Sequence, residues 1–177
     1  MMTKKKQILK KRLRAYSLVE VSIVLLIMGI ATAGVLKGMS LLKSVRLDAV
    51  VTDIRTIQFA YNQYINAYAA IPGNDKNITS VNKDAEPGKG DGVFCEEDAK
   101  RTFNHLQVAG LIKLEELNHP KIGSKYSIIK DGQHPFIKLD GLLEDQITLL
   151  ITKLKATLGT TVEIKRDKTS VSIRLDN

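Results

Sequence analysis

Cysteine is scarce in this chain, and proteins that depend on it are excluded first. Cys95 is the single cysteine among 177 residues, so no disulfide can form within the chain. Its expected role is that of a small, partly buried side chain. The chain has no tryptophan, five tyrosines and four phenylalanines, and these are too few rings to indicate a surface on which nucleic-acid bases stack.

Motifs of the common enzyme classes are also missing. The sequence contains no Gly-Lys-Ser/Thr phosphate-binding run and no Gly-x-Ser-x-Gly nucleophile turn. Zinc is disfavoured because Cys95 and the histidines lack the usual ligand spacings. The histidines, expected at the surface or half-buried, are His105, His119 and His134. We therefore predict no catalytic residues and no enzyme activity.

Acidic residues are absent before Tyr16, where seven of the 27 basic residues lie. The rest of the chain has 20 basic and 19 acidic residues, so it is nearly neutral and nucleic-acid binding is not expected. A basic run before an apolar segment keeps an N-terminus in the cytoplasm and is attracted to anionic lipid. The seven residues are Lys4, Lys5, Lys6, Lys10, Lys11, Arg12 and Arg14.

A long apolar segment follows these basic residues. Residues 16–36 are numerous enough to cross the hydrocarbon core of a bilayer as a helix. Glu20 is the one charged residue in this segment. An ionised carboxylate at the centre of a bilayer costs about 2.5 to 3.5 kcal/mol, so Glu20 is a candidate functional residue.

Residues 15–20, which read AYSLVE, resemble the start of mature type IV pilins and of the pseudopilins of type II secretion. That family has Gly or Ala before Phe-Thr-Leu-Ile-Glu or a similar run, whereas this chain has Ala15 before the cut and Tyr16 after it. The resemblance implies cleavage between Ala15 and Tyr16 by a prepilin peptidase, N-methylation of Tyr16 and subunit assembly through Glu20.

The same resemblance implies partners and a location. The partners are the prepilin peptidase, other pilin or pseudopilin subunits, inner-membrane assembly machinery and membrane lipid. The chain would cross the bacterial inner membrane once, with its N-terminus in the cytoplasm and a globular domain in the periplasm, before entering a pilus or pseudopilus.

Cleavage would leave a cationic amine at the start of a helix, where the helix dipole is already positive. Glu20 would lie about one turn along the same helix. Its carboxylate could pair with the amine of its own chain or with that of a neighbouring subunit, and the sequence leaves both geometries open.

Two other functions fit the N-terminus. Residues 21–30 could be the apolar part of an ordinary secretory signal, followed by a small-residue cleavage site at residues 31–33. The product would be a soluble periplasmic binding protein or enzyme. The other alternative is a membrane-anchored protein that does not polymerise.

The helix is predicted to continue as an amphipathic segment over residues 39–71, because this range contains no Pro or Gly and has an apolar stripe. Pro72-Gly73 would end it. The domains are then a leader at 1–15, a membrane and assembly half at 16–38, an amphipathic half at 39–71 and a globular domain at 72–177. The stripe comprises Leu47, Val50, Ile54, Ile57, Tyr61, Tyr64 and Tyr68.

Residues 72–95 are rich in Gly, Asn, Asp and Pro, which predicts a long surface loop. Asp84, Glu86 and Asp91 in this loop are weak candidates for calcium ligands. The EF-hand spacing fails, and the three glycines of residues 88–92 indicate turns with positive φ instead. We expect no cofactor, with calcium as the alternative.

A second helix is predicted from Glu96 to Ala109, with Phe103, Leu106 and Ala109 on its buried side and Gly110 at its end. Further on, residues 126–130 and 136–139 flank Asp131-Gly132 as a hairpin, although Pro135 suits only a strand edge.

The last part of the chain predicts one more helix and one more hairpin. The apolar stripe of the helix is Leu142, Leu143, Ile147, Leu150, Ile151, Leu154 and Leu158. The alternating apolar residues of the hairpin are Val162, Ile164, Val171, Ile173 and Leu175. We therefore predict a pilin-like α+β fold in which a small antiparallel sheet rests on the long N-terminal helix.

Overall fold

The computed structural model describes residues 17–83, 85–113, 117, 122–123, 125–159 and 162–176. The chain divides into two compact units, residues 1–42 and 43–177. The described helices are α1 (Leu18–Tyr68), α2 (Glu96–Val108) and α3 (Glu144–Leu158). The strands are β1 (Tyr126–Asp131), β2 (His134–Leu139), β3 (Ile164–Arg166) and β4 (Val171–Arg174). The predicted α+β class is confirmed.

In the first unit, the described residues 18–42 form the start of α1 and are exposed throughout. An 18-residue window of this helix has a mean hydropathy of 2.3 and no buried residue, so α1 is long and apolar enough to cross a membrane. Exposed apolar surface of this extent is unfavourable in water. This part of α1 therefore requires an apolar environment or other helices around it.

In the second unit, α1 buries the predicted apolar stripe. Six of its seven members are confirmed as buried, whereas Tyr68 is 38% exposed and lies against Tyr64 with 4.7 Å between ring centroids. Fully burying a large aliphatic side chain contributes about 1.5 to 3 kcal/mol, so this stripe is a major source of stability.

The end of α1 differs from the prediction. The helix stops at Tyr68, three residues before Ile71, because Ala69 adopts a left-handed conformation with φ of 51°. The Ala69 N–H still donates to the Ile65 carbonyl at 2.8 Å, so Ala69 closes the last turn. An alanine pays a steric cost in this conformation that a glycine does not pay.

The four strands form one antiparallel sheet in the order β1-β2-β4-β3, which joins the two predicted hairpins through β2 and β4. The expectation that Pro135 lies at a sheet edge is wrong, because β2 has a neighbour on both sides. The β2–β4 pairs begin only at Phe136, and the Pro135 carbonyl accepts from the Leu175 N–H at 3.0 Å. The missing N–H of Pro135 therefore falls just beyond the end of this ladder.

The sheet packs on the second half of α1, as predicted. The Gln58 side-chain amide donates to the Arg174 carbonyl of β4 at 2.8 Å, and the Tyr126 hydroxyl of β1 donates to Asp53 Oδ2 at 2.9 Å. Burial, with Asp53 beside the ring, raises the pKa of Tyr126 well above its usual range, so this hydroxyl remains a donor. Residues of α1, α3 and the sheet share one apolar core.

The third helix begins two residues after the first member of its predicted stripe. Leu142 is buried ahead of the helix, and Leu143, at the N-cap position, is exposed. Within the helix the stripe is confirmed: Ile147, Leu150 and Leu154 are buried, and Ile151 and Leu158 are half-buried. A polar contact also joins α3 to α1, since Lys153 of α3 donates to Ser44 Oγ of α1 at 3.1 Å.

Ala69→Gly is expected to stabilise the chain by about 1 kcal/mol, because glycine adopts the left-handed conformation without a steric cost. The measurement is thermal unfolding of the full chain in detergent. The matched control is Ala67→Gly, within α1, which should lower stability by about 0.5 to 1 kcal/mol. Equal losses of stability in the two variants would show that the conformation of Ala69 is not strained.

Candidate functional site

Two parts of the chain carry candidate functional residues: the start of α1 and the loop between α1 and α2. Ala15 and Tyr16, the predicted cleavage and methylation positions, lie outside the described residues. Glu20 lies in the first turn of α1 and is exposed. Helical hydrogen bonding begins beside it, where the Val21 N–H donates to the Ser17 carbonyl at 3.2 Å.

The surroundings of Glu20 are apolar on the side toward the rest of α1. One turn after it lie Ile23 and Val24, both about half exposed, and neither side chain can donate a hydrogen bond. In an apolar medium the carboxylate would need a cation or hydrogen-bond donors from another source. The first N–H groups of the helix and the positive end of its dipole favour a negative charge at this end.

The loop between α1 and α2 is folded onto both helices, although its sequence predicts a long surface loop. Five buried polar side chains hold it in place, and we call them the polar network. Their side chains come from the first residues of the loop and from one face of α2. The network consists of Asn74, Asp75, Asp98, Thr102 and His105.

His105 joins the start of the loop to its interior. Its Nδ1 accepts from the Gly73 N–H at 2.9 Å, and its Nε2 lies 2.8 Å from the Glu86 carbonyl. The proton is therefore assigned to Nε2, which donates to Glu86. His105 is completely buried, so the expected surface or half-buried position is wrong for this residue. Only glycine fits at Gly73, where a Cβ would lie 2.1 Å from the Asp98 carbonyl oxygen.

Asn74 and Asp98 join the loop to the start of α2. The Asn74 side-chain amide donates to Asp98 Oδ2 at 3.0 Å and to Asp91 Oδ1 at 2.9 Å. The same Asp98 oxygen accepts from the Cys95 N–H at 2.9 Å, while Arg101 Nη1 lies 3.6 Å from Asp98 Oδ1. Two donors at Oδ2 and the Arg101 cation thus compensate the completely buried carboxylate in part, whereas Asp98 Oδ1 accepts no hydrogen bond.

Asp75 joins the loop to the end of α1. The Tyr64 hydroxyl donates to Asp75 Oδ2 at 2.8 Å, and the Asn77 N–H donates to Asp75 Oδ1 at 2.7 Å. Burial and the hydrogen bond to Asp75 raise the pKa of Tyr64 well above its usual range. The hydroxyl therefore remains a donor at every ordinary pH.

The face of α2 that carries this network differs from the prediction. Leu106 is buried as expected, but Phe103 and Ala109 are only half-buried. Polar residues 98, 102 and 105 take the most buried positions instead, because each has a partner in the loop. The Thr102 hydroxyl, for example, lies 3.2 Å from the Pro72 carbonyl. The helix ends at Val108 rather than Ala109, and Gly110 follows with φ of 72°.

The glycines of residues 88–92 act in two ways. Gly90 and Gly92 have the predicted positive φ, at 68° and 75°. Gly88 instead allows close approach, because a Cβ there would lie 2.3 Å from the Asn74 carbonyl carbon. The Gly88 N–H donates to the Asp75 carbonyl at 2.9 Å, and the Gly90 N–H donates to the Asn74 carbonyl at 2.6 Å.

The calcium candidates are engaged differently. Asp84 lies outside the described residues. Asp91 Oδ1 accepts from the Val93 N–H at 3.0 Å and from Asn74, and both bonds lower the pKa of Asp91. The Glu86 carboxylate lies 3.6 Å from Arg101 Nε. No group of three or more His, Cys, Asp or Glu side chains within the described part of the chain is placed to hold a metal ion.

Of the other residues considered for zinc, His134 lies in β2, whereas Cys95 contacts the polar network through its backbone N–H. His119 lies outside the described residues. His134, in β2, is half-buried, and its Nδ1 lies 2.7 Å from Asp176 Oδ2 and 2.7 Å from Arg174 Nη2. Cys95 is half-buried just before α2, in agreement with the predicted partial burial.

His105→Leu is expected to lower the free energy of unfolding by about 2 to 4 kcal/mol, because it leaves the Gly73 N–H and the Glu86 carbonyl unpaired. Thermal unfolding measures the loss. Hydrogen exchange should also rise more in residues 72–95 than in β2. The control is Gln107→Leu on the exposed side of α2, with an expected change within about 0.5 kcal/mol. Unchanged exchange in the loop would contradict this role of His105.

Millimolar calcium and EDTA are expected to give the same unfolding temperature for the full chain. The Asp91 carboxylate already accepts hydrogen bonds from protein donors, and the Glu86 carboxylate is paired with Arg101. A ligand at a hundred times its dissociation constant would stabilise the folded state by about 2.7 kcal/mol. Magnesium is the control for non-specific ionic effects. A rise in unfolding temperature with calcium alone would contradict the expectation and would support Asp84, Glu86 and Asp91 as calcium ligands.

Comparisons with known proteins complete these observations. No family model matches the chain, and no curated protein matches it. Among solved structures, the chain is similar to the major type IV pilin PilA1 of Clostridium difficile, with 16% sequence identity and a TM-score of 0.44. The similarity covers 78% of this chain and 98% of that chain.

Proposed function

We propose that this chain is a structural subunit of a type IV pilus or a type II secretion pseudopilus and that it has no catalytic role. It polymerises through the first half of α1. The observation that carries the proposal is Glu20, the single charged residue of the exposed apolar stretch at 18–36. A carboxylate in such a segment is costly, which favours a role in assembly.

The first half of α1 has two apolar environments in this proposal. Before assembly it crosses the inner membrane once, with the basic residues at the cytoplasmic end and residues 43–177 in the periplasm. After assembly it packs against the corresponding helices of other subunits. Gly29 lies four residues before Ala33 and Gly34 four before Gly38, and small residues at this spacing let packed helices approach closely.

Cleavage creates the positively charged amine with which Glu20 can pair. The prepilin peptidase cuts between Ala15 and Tyr16, and the new amine of Tyr16 is N-methylated. If Glu20 pairs with this amine on a neighbouring subunit, two charges are neutralised in apolar surroundings and the axial stagger of the helices is fixed. If it pairs within the chain, the same charges are neutralised without setting the stagger. The other partners are the inner-membrane assembly machinery and membrane lipid.

The first arm of the test is N-terminal mass analysis of the mature chain purified from its own cells. We expect a chain that begins at methylated Tyr16. A chain that begins at Gly34 would identify ordinary signal cleavage, and the protein would then be a released periplasmic protein. A chain that is never cleaved would also contradict the proposal.

The second arm separates a filament subunit from a membrane protein that does not polymerise. Glu20→Gln keeps the size of the side chain and removes its charge, so the variant should insert in the membrane and disappear from sheared filaments. Glu20→Asp keeps the charge, and Thr32→Ala on the same exposed helix is the neutral control. Equal amounts of wild-type and Glu20→Gln chain in sheared filaments would rule out assembly through Glu20.

A further inference from the structure

The loop after α1 contains Asn77-Ile78-Thr79, which is the acceptor tripeptide of N-linked glycosylation. Asp75 lies two residues before the asparagine. Its carboxylate is buried and accepts hydrogen bonds from the Tyr64 hydroxyl and the Asn77 N–H, so Asp75 belongs to the fold and not to the exposed acceptor tripeptide. No other asparagine in the sequence has Ser or Thr two residues after it.

The structure presents this tripeptide at the surface. Asn77 and Thr79 are exposed, whereas Ile78 between them is completely buried in the core. Asn77 precedes the short 3-10 turn Ile78–Ser80, and its side chain makes no capping hydrogen bond to that turn. The side-chain amide is thus not needed to hold the turn in place.

Backbone groups hold the turn instead. The Asn77 N–H donates to Asp75 Oδ1 at 2.7 Å, and the Asn77 carbonyl accepts from the Ser80 N–H at 2.9 Å and from the Ser80 hydroxyl at 2.7 Å. Ile78 anchors the same turn in the apolar core. A group attached to the Asn77 side chain would therefore project into solvent without disturbing these contacts.

We propose that Asn77 is a site of N-glycosylation by an oligosaccharyltransferase on the periplasmic side of the membrane. Asn77 Nδ2 forms a bond with the anomeric carbon of a glycan carried on a lipid pyrophosphate. The bond from that carbon to the pyrophosphate oxygen breaks, the lipid pyrophosphate leaves, and the amide nitrogen loses one proton. This inference rests on the proposed function in one respect, since it requires residues 43–177 to lie outside the cytoplasm.

The test is peptide mapping by mass spectrometry of the full chain purified from its own cells. Trypsin cuts after Lys76 and Lys83 and releases residues 77–83. We expect this peptide to carry sugar, with the added mass located on Asn77. The modified peptide should be lost in Asn77→Gln and Thr79→Ala, and it should be retained in Thr79→Ser.

The matched control is Asn66→Gln, which removes an exposed asparagine that is not followed by Ser or Thr at the required position. The N-terminal analysis of the same sample separates the two proposals. An unmodified peptide in a chain that begins at Tyr16 overturns the glycosylation and leaves the filament proposal intact. A modified peptide in a chain that begins at Gly34 supports the glycosylation and refutes the filament. An unmodified, uncleaved chain overturns both.

Discussion

Burial of one face of α1 between Leu47 and Tyr64 is the constraint on which the globular unit depends. This face supplies apolar side chains to the core that α3 and the sheet complete. The four strands form a single layer, and a single layer must bury its apolar face against another element. The strands satisfy the backbone hydrogen bonds of the sheet, but its apolar face needs α1 to cover it. Gln58 and Asp53 add polar contacts that fix where the sheet rests on the helix.

The polar network stabilises a long connection that has few apolar residues to bury, among them Ile78 and Phe94. Residues 72–95 contain few large apolar side chains, so hydrophobic burial cannot hold this segment against its conformational entropy. Hydrogen bonds to buried partners hold the segment instead. The free-energy cost of leaving a buried donor or acceptor unpaired is larger than the net gain from a typical hydrogen bond. His105, Asn74 and Asp98 each contact more than one segment, so loss of one side chain leaves several groups unpaired.

The same contrast explains what the sequence could predict. The α1 and α3 stripes and the alternation in β4 follow from apolar periodicity, which burial in a shared core requires. For α2 the apolar pattern predicted the buried Leu106 but not the rest of the buried face, because residues 98, 102 and 105 are polar and follow the pattern of a solvated surface. Their burial depends on partners from the loop, which are distant in sequence. Pro135 was misplaced for a related reason, since strand order depends on contacts between hairpins rather than on either hairpin alone.

The end of α1 was also beyond the reach of sequence patterns. Alanine favours helix, and nothing local distinguishes Ala69 from Ala67. The early stop follows from tertiary contacts: Tyr64 must reach Asp75, and Gly73 must reach His105. A helix that continued to Ile71 would leave only one residue between its end and Gly73. The left-handed turn at Ala69 gives the chain room to reverse.

Two carboxylates, one in each unit, have very different surroundings. Asp98, completely buried in the second unit, accepts hydrogen bonds from Asn74 and Cys95 and faces Arg101. Its desolvation is offset in part within the chain, although Asp98 Oδ1 accepts no hydrogen bond. Glu20 lies on an exposed apolar helix, and the side chains one turn after it cannot donate hydrogen bonds. In lipid or among packed helices, the same desolvation would apply to Glu20. Its compensation would then have to come from outside this apolar stretch, and the N-terminal end of a helix, its own or a neighbour's, offers both free N–H groups and the positive end of a dipole.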